Sequence, residues 1–133
     1  MSYAKPAVSA VIFNSDGQVL LVRCSAKAPT PGQWILPGGL LQGGHDWQTS
    51  LKEEVEARVG LSVTGQRLIG IYSAPEAMAA SFLVNAFEGE VALDEQSDQF
   101  EWYSPDSLPN PVPKPEATKI QDALNFKGKV FVR

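Results

Sequence analysis

The sequence predicts an α/β sandwich, with strands on both sides of a central helix and a second helix near the end. Three observations carry that expectation. Two apolar runs flank an Asp16-Gly17 turn, which is the pattern of a β-hairpin. Trp47, Leu51, Val55 and Val59 recur every four residues and lay an apolar stripe along one helix. Ile120, Ala123 and Leu124 share a face of a second helix. Spacing alone does not choose among the several folds of this class.

Taken in order, the β-branched run from Ala7 to Asn14 reads as a strand and Val19 to Arg23 as its hairpin partner. Ser25 to Gln33 holds two prolines and a glycine and reads as a loop, after which Trp34 to Leu36 forms a short strand. The stretch from Pro37 to Leu61 is a glycine-rich loop feeding the central helix, which runs from Trp47 to about Val59. Asp46 suits the N-cap and Gly60 the C-terminal stop. Leu61 to Thr64, Leu68 to Tyr72, Ser81 to Glu88 and Phe100 to Tyr103 read as further strands, with Val91 to Gln99 as an acidic surface connection. Pro105 to Leu108 reads as one helical turn before the Pro-rich segment Pro109 to Pro115. The last helix is expected from Glu116 to about Asn125 and a terminal strand over Lys129 to Val132. No internal repeat and no linker divides the chain, so residues 1–133 are expected to form a single domain.

Composition narrows the function classes. A 44% hydrophobic, 20% charged mix is that of a globular protein. A net charge of −4 with no run of Lys or Arg argues against nucleic acid and membrane partners. No apolar segment reaches membrane-spanning length, the N-terminus lacks the apolar core of a secretory signal, and Cys24 is the single cysteine. A cytoplasmic location is the simplest expectation.

The Pro37 to Leu61 stretch, PGGLLQGGHDWQTSLKEEVEARVGL, resembles the signature of the Nudix hydrolases, G-x5-E-x7-R-E-U-x-E-E-x-G-U with U a bulky aliphatic residue. The resemblance extends to Val19 through Arg23, Gly32 through Gly39, Leu68 through Tyr72 and Phe100 through Pro109. It implies a Nudix-like α/β/α sandwich, with a mixed β-sheet between helices. It also implies a ligand cleft for a nucleotide or related small diphosphate, and divalent cations held by glutamates of the helix.

Within the signature, Gly39, Glu54, Val55 and the Gly60-Leu61 pair match the pattern. His45 stands at the first glutamate, Glu53 at the arginine, and Ala57 and Arg58 at the paired glutamates. Carboxylates at i, i+3 and i+4 share a helix face and can gather around a metal. Here that face carries Glu54, Ala57 and Arg58, so its formal charge is zero rather than −3. A guanidinium about 5 Å from a divalent ion costs roughly 6 to 7 kcal/mol at an effective dielectric of about 20, before screening. Arg58 also lies four residues after Glu54, the favourable spacing for a helical ion pair, and the expectation is that the two pair on the surface.

Glu54 is therefore the candidate metal ligand. Glu54, Glu53 and His45 are the catalytic candidates, Glu53 by reaching in from the side. His45 could act as a base or as a ligand for Mn²⁺ or Zn²⁺, or simply be a surface histidine. Glu56 is expected to face solvent. Arg23, Gly38, Gly39 and Arg58 are candidate ligand contacts, the glycines through backbone N–H groups that can face phosphate. They serve a tight loop equally well, and a strand-end arginine is commonly just solvated. Glu76, Asp94, Glu95, Asp98 and Glu101 are possible sources of a base, with nothing to select one. Trp34, Tyr72, Phe82 and Trp102 read as core, and Cys24 as a small packed side chain at a strand end.

Two functions remain open at this level. One is a family-type hydrolase of nucleoside diphosphate linked compounds that uses Mg²⁺ or Mn²⁺. The other is a module that keeps the cleft, has impaired or lost catalysis, and has no need of a cofactor. A homodimer is possible, without positive support from the sequence.

Overall fold

The computed structural model describes residues 5–41, 43–74 and 77–133. Along them run β1 (Lys5–Ile12), β2 (Val19–Cys24), β3 (Trp34–Ile35), β4 (Gly38–Leu40), α1 (Trp47–Val59), β5 (Ser62–Ala74), β6 (Ala77–Glu88), β7 (Ser97–Tyr103), α2 (Lys114–Leu124) and β8 (Phe131–Val132). The strands form a five-stranded mixed sheet in the order β4-β1-β6-β5-β8 and a three-stranded sheet in the order β3-β2-β7. β1 runs parallel to β6, with Val8 opposite Ala80, whereas β5 and β6 are antiparallel. A buried hydroxyl pair, Ser9 Oγ to Ser81 Oγ at 2.5 Å, links β1 and β6 across the middle of the larger sheet.

The hairpin expected between the first two strands is only a corner. Asn14 shapes the turn by accepting the amides of Asp16 and Gln18, and Gly17 adopts φ +75°. Beyond the single Phe13–Val19 bridge the strands part into different sheets. The reason lies in their composition. Ala10, Val11 and Ile12 are buried in succession in β1, as are Val19 to Val22 in β2. Strands buried on both faces need neighbours on both edges, and each finds two of its own. The expected strands Leu61–Thr64 and Leu68–Tyr72 are likewise one long strand, β5, with register shifts at Gly65 and between Leu68 and Gly70. Pro105 to Leu108 makes a turn closed by the Ser107 N–H on the Ser104 carbonyl, not a helical turn.

Apolar side chains fill two layers. Val8, Ala10, Ile12 and Phe82 of the sheet pack with Leu51, Val55 and Val59 of α1. Val11, Val19, Leu21, Trp34 and Ile69 pack with Ile120 and Ala123 of α2. The result is the expected sandwich of helix, strand layer and helix. α1 begins and ends as its sequence predicts. The Asp46 carboxylate accepts the Thr49 N–H at 2.7 Å, a bond that holds its pKa below the ordinary range. Gly60 closes the helix at φ +74° with its N–H on the Glu56 carbonyl. Neither helix is long and apolar enough to cross a membrane.

Under α2 the core includes charge. The Tyr72 hydroxyl donates to Asp122 at 2.7 Å, and Arg133 donates to the same carboxylate through Nε and Nη2 at 3.1 and 2.6 Å. Burial, and then the Asp122 carboxylate, push the Tyr72 phenol far above its ordinary value near 10. The fold thus favours the neutral phenol. Its contribution is fully present below the unfolded pKa and is lost as pH rises beyond it, because the unfolded chain releases the proton first. Urea unfolding followed from about pH 8 to 11 is expected to show stability falling above about pH 10, with a shallower fall in Tyr72→Phe. Equal slopes in the two proteins would remove Tyr72 as the source.

Candidate functional site

A cavity of about 340 Å³ opens between the smaller sheet, β4 and the end of α1. Its walls are largely apolar, with Val22 and Cys24 from β2 and Ile35, Leu36, Pro37 and Leu40 from the segment leading into α1. Thr30, Gln96, Ser97 and Arg58 supply its polar side chains, and Gly38 and Gly39 its backbone. A volume of this order, lined by apolar groups with a few polar ones, is what small-molecule sites present.

Gly38 and Gly39 reach this wall as a strand rather than as the loop expected from their composition. They pair antiparallel with β1, Gly38 opposite Ser9 and Gly39 opposite Val8. Close approach explains the glycines. A Cβ at Gly38 would overlap the Val8 carbonyl, and one at Gly39 would overlap the Glu54 carboxylate. Gly39 therefore makes room for Glu54.

Glu54 is 7% exposed, so its pairing with Arg58 is not the surface contact that helical spacing suggests. The pair itself forms, Arg58 Nε to Glu54 Oε2 at 3.5 Å. A tighter partner lies on the connection between β6 and β7, where Arg58 Nη1 donates to Asp94 Oδ2 at 2.6 Å. That connection is fastened to the helix end. The Ala92 N–H donates to the Val59 carbonyl at 2.8 Å, and the Asp94 N–H to the Arg58 carbonyl at 3.2 Å. These bonds satisfy carbonyls that a helix terminus otherwise leaves open. Spacing could not indicate Asp94, which lies 36 residues from Arg58.

The other candidates are elsewhere. His45 Nδ1 sits 3.1 Å from Glu53 Oε2, both partly exposed. In the signature these two positions carry Glu and Arg; here they carry an imidazole and a carboxylate that lie in contact. Glu56 faces solvent, as the helix register requires. Arg23 donates through Nε to Asp98 at 2.8 Å and lies outside the cavity lining. This bond raises the Arg23 pKa and lowers that of Asp98. Glu95 pairs with Lys27 at 3.0 Å, Glu101 is exposed, and Glu76 falls outside the described residues. Cys24, Trp34, Tyr72 and Phe82 are buried as expected, whereas Trp102 is half-buried and stacks on Phe87.

A hard divalent cation requires several oxygen ligands in one place. Here the guanidinium of Arg58 stands between the carboxylates of Glu54 and Asp94, and Ala57 offers no donor. No cluster of three or more His, Cys, Asp or Glu suited to a metal occurs among the described residues. Among the described residues, the oxygen donors brought together on this face are therefore those of Glu54 and Asp94, with the Arg58 cation between them.

Comparison with known proteins connects this geometry to others. Residues 4–124 match the family model described as NUDIX domain. A MutT-like protein of Streptomyces ambofaciens is 27% identical over 124 residues, 92% of this chain and 78% of the relative. An ADP-ribose pyrophosphatase of Methanocaldococcus jannaschii is 25% identical, over 80% of this chain and 67% of its own. Among solved structures, a MutT NUDIX hydrolase from Burkholderia pseudomallei superposes with a TM-score of 0.84 at 22% identity, covering 91% of this chain and 98% of that one.

Proposed function

This chain belongs to the NUDIX domain family, and from that premise we propose that residues 1–133 act as one domain whose cleft binds a nucleoside-diphosphate-type ligand with little metal-dependent hydrolysis. The observation that supports this reading is Arg58 standing between Glu54 and Asp94 on the cavity wall. Nudix hydrolases generally use divalent metal ions, which supply the nucleophile and offset phosphate charge. In this chain the same helix face presents one carboxylate, a methyl group and a guanidinium. Asp94 and Glu54 flank Arg58, Gly38 and Gly39 line the same cavity, and apolar side chains form most of its walls. A cytoplasmic protein acting on a small nucleotide-linked ligand is consistent with this arrangement.

The second reading, an active hydrolase with a non-standard site, draws on family membership and on the relative named as an ADP-ribose pyrophosphatase. One panel separates the two. ADP-ribose and other nucleoside diphosphate compounds are expected to raise the melting temperature by mass action. With Mg²⁺, Mn²⁺ or Zn²⁺ their hydrolysis is expected to stay well below about 1 s⁻¹. Turnover at or above that rate, abolished in Glu54→Gln, would establish the hydrolase instead.

A further inference from the structure

We propose that the cavity receives an uncharged heterocyclic group of the ligand through a carbonyl oxygen, and that Arg58 selects for it. The inference rests on the reading of this cavity as the ligand cleft. Arg58 is the one charged side chain in the cavity wall among the described residues. It does not present a free positive charge, because the carboxylates of Glu54 and Asp94 flank it. A phosphate entering here would approach a cation already shared by two carboxylates, in surroundings of net negative charge.

Hydrogen-bonding capacity leads elsewhere. A guanidinium carries five N–H donors on three nitrogens. Among the described residues the guanidinium hydrogen-bonds through Nη1 to Asp94, while Nε lies 3.5 Å from Glu54 Oε2 in an ion pair rather than a hydrogen bond. The side chain is 34% exposed and lines the cavity, so N–H groups not bonded to Asp94 can meet a ligand. A neutral carbonyl accepts from them without like-charge repulsion from the flanking carboxylates. The remaining surface of such a group matches the walls, where Val22, Cys24, Ile35, Leu36 and Pro37 remove apolar area from water. The bond to Asp94 also restrains the guanidinium, so less side-chain freedom is lost on binding. Arg58 is thereby a specificity-determining residue that touches the ligand.

Inosine and adenosine test this as a matched pair, since one carries a ring carbonyl where the other carries an amino group. Calorimetry on the intact chain in EDTA is expected to show inosine binding at least about tenfold more tightly, the range of one hydrogen bond to a charged donor. Inorganic diphosphate is expected not to displace it. Arg58→Lys keeps the charge between Glu54 and Asp94 but loses the planar fork, and is expected to abolish the preference while remaining folded by circular dichroism. Equal or tighter binding of adenosine, displacement by diphosphate, or an unchanged preference in Arg58→Lys would each overturn the proposal. Inosine selectivity without binding of any nucleoside diphosphate would uphold the carbonyl site and remove the diphosphate reading. Nucleoside diphosphate binding that makes no distinction between hypoxanthine and adenine would do the reverse.

Discussion

Mn²⁺ is expected to raise the melting temperature of an Ala57→Glu, Arg58→Glu double variant by about 5 to 10 °C at saturation, and to leave the parent chain unchanged. The double variant places three carboxylates at i, i+3 and i+4 on one helix face, with Asp94 opposite. Without metal it is expected to lose about 3 kcal/mol of stability, because removing Arg58 leaves the buried Glu54 without its counter-ion and gathers like charges around it. Binding of a divalent cation to the folded state alone then restores stability, by about 2.7 kcal/mol at a hundredfold excess over Kd. Thermal unfolding across a Mn²⁺ titration, with calorimetry for the binding itself, measures both halves. A flat response in the double variant would mean that the helix face no longer lies where its carboxylates can share an ion.

The second large effect is steric. Gly38→Ala is expected to destabilise the fold by about 3 kcal/mol or more, in the range reserved for backbone overlap and core disruption. The added Cβ would overlap the Val8 carbonyl and would also lie 2.9 Å from Ser9 Cα, and neither is the end of a flexible side chain that can turn away. β4 must separate from β1, taking one wall of the cavity with it. Gly43→Ala is the control, because nothing lies within 4 Å of its added carbon and its φ is not positive. Urea midpoints for the two variants decide the matter. Similar, small changes in both would show that β4 yields easily.

How far the sequence foretold this molecule depended on whether the cause was local. α1 was legible from Trp47 to Val59 because its cap, its stripe and its stop all lie within the helix or beside it. β4 was not, since Gly38 and Gly39 have poor strand propensity and pair with β1 only because close approach requires them. The corner between β1 and β2 looked like a hairpin because the turn chemistry is local, whereas the parting of the strands is decided by distant partners. Arg58 shows the same division. Its bond to Glu54 follows from helical spacing, but the burial of Glu54 depends on β4, and the bond to Asp94 on a segment beyond two long strands. His45 and Glu53 add a related lesson. Counted against the signature they are two mismatches, yet in space they are one contact.

The fastening of residues 92–94 to Val59 and Arg58 has a consequence for how this region opens. A helix end usually frays by itself, and a surface connection usually moves by itself. Here the Ala92 amide is paired to the last residue of the helix, and Gly60 in its left-handed conformation packs against Ala92, where an added carbon would come within 3.0 Å. The final turn of α1 and the approach to β7 are therefore expected to share one opening event, which hydrogen exchange would show as amides exchanging as a single unit. Gln96 and Ser97 line the cavity only two and three residues beyond Asp94. Fraying at the foot of the helix is thus expected to unlatch that wall as well, and a ligand holding the wall closed to slow the exchange of both.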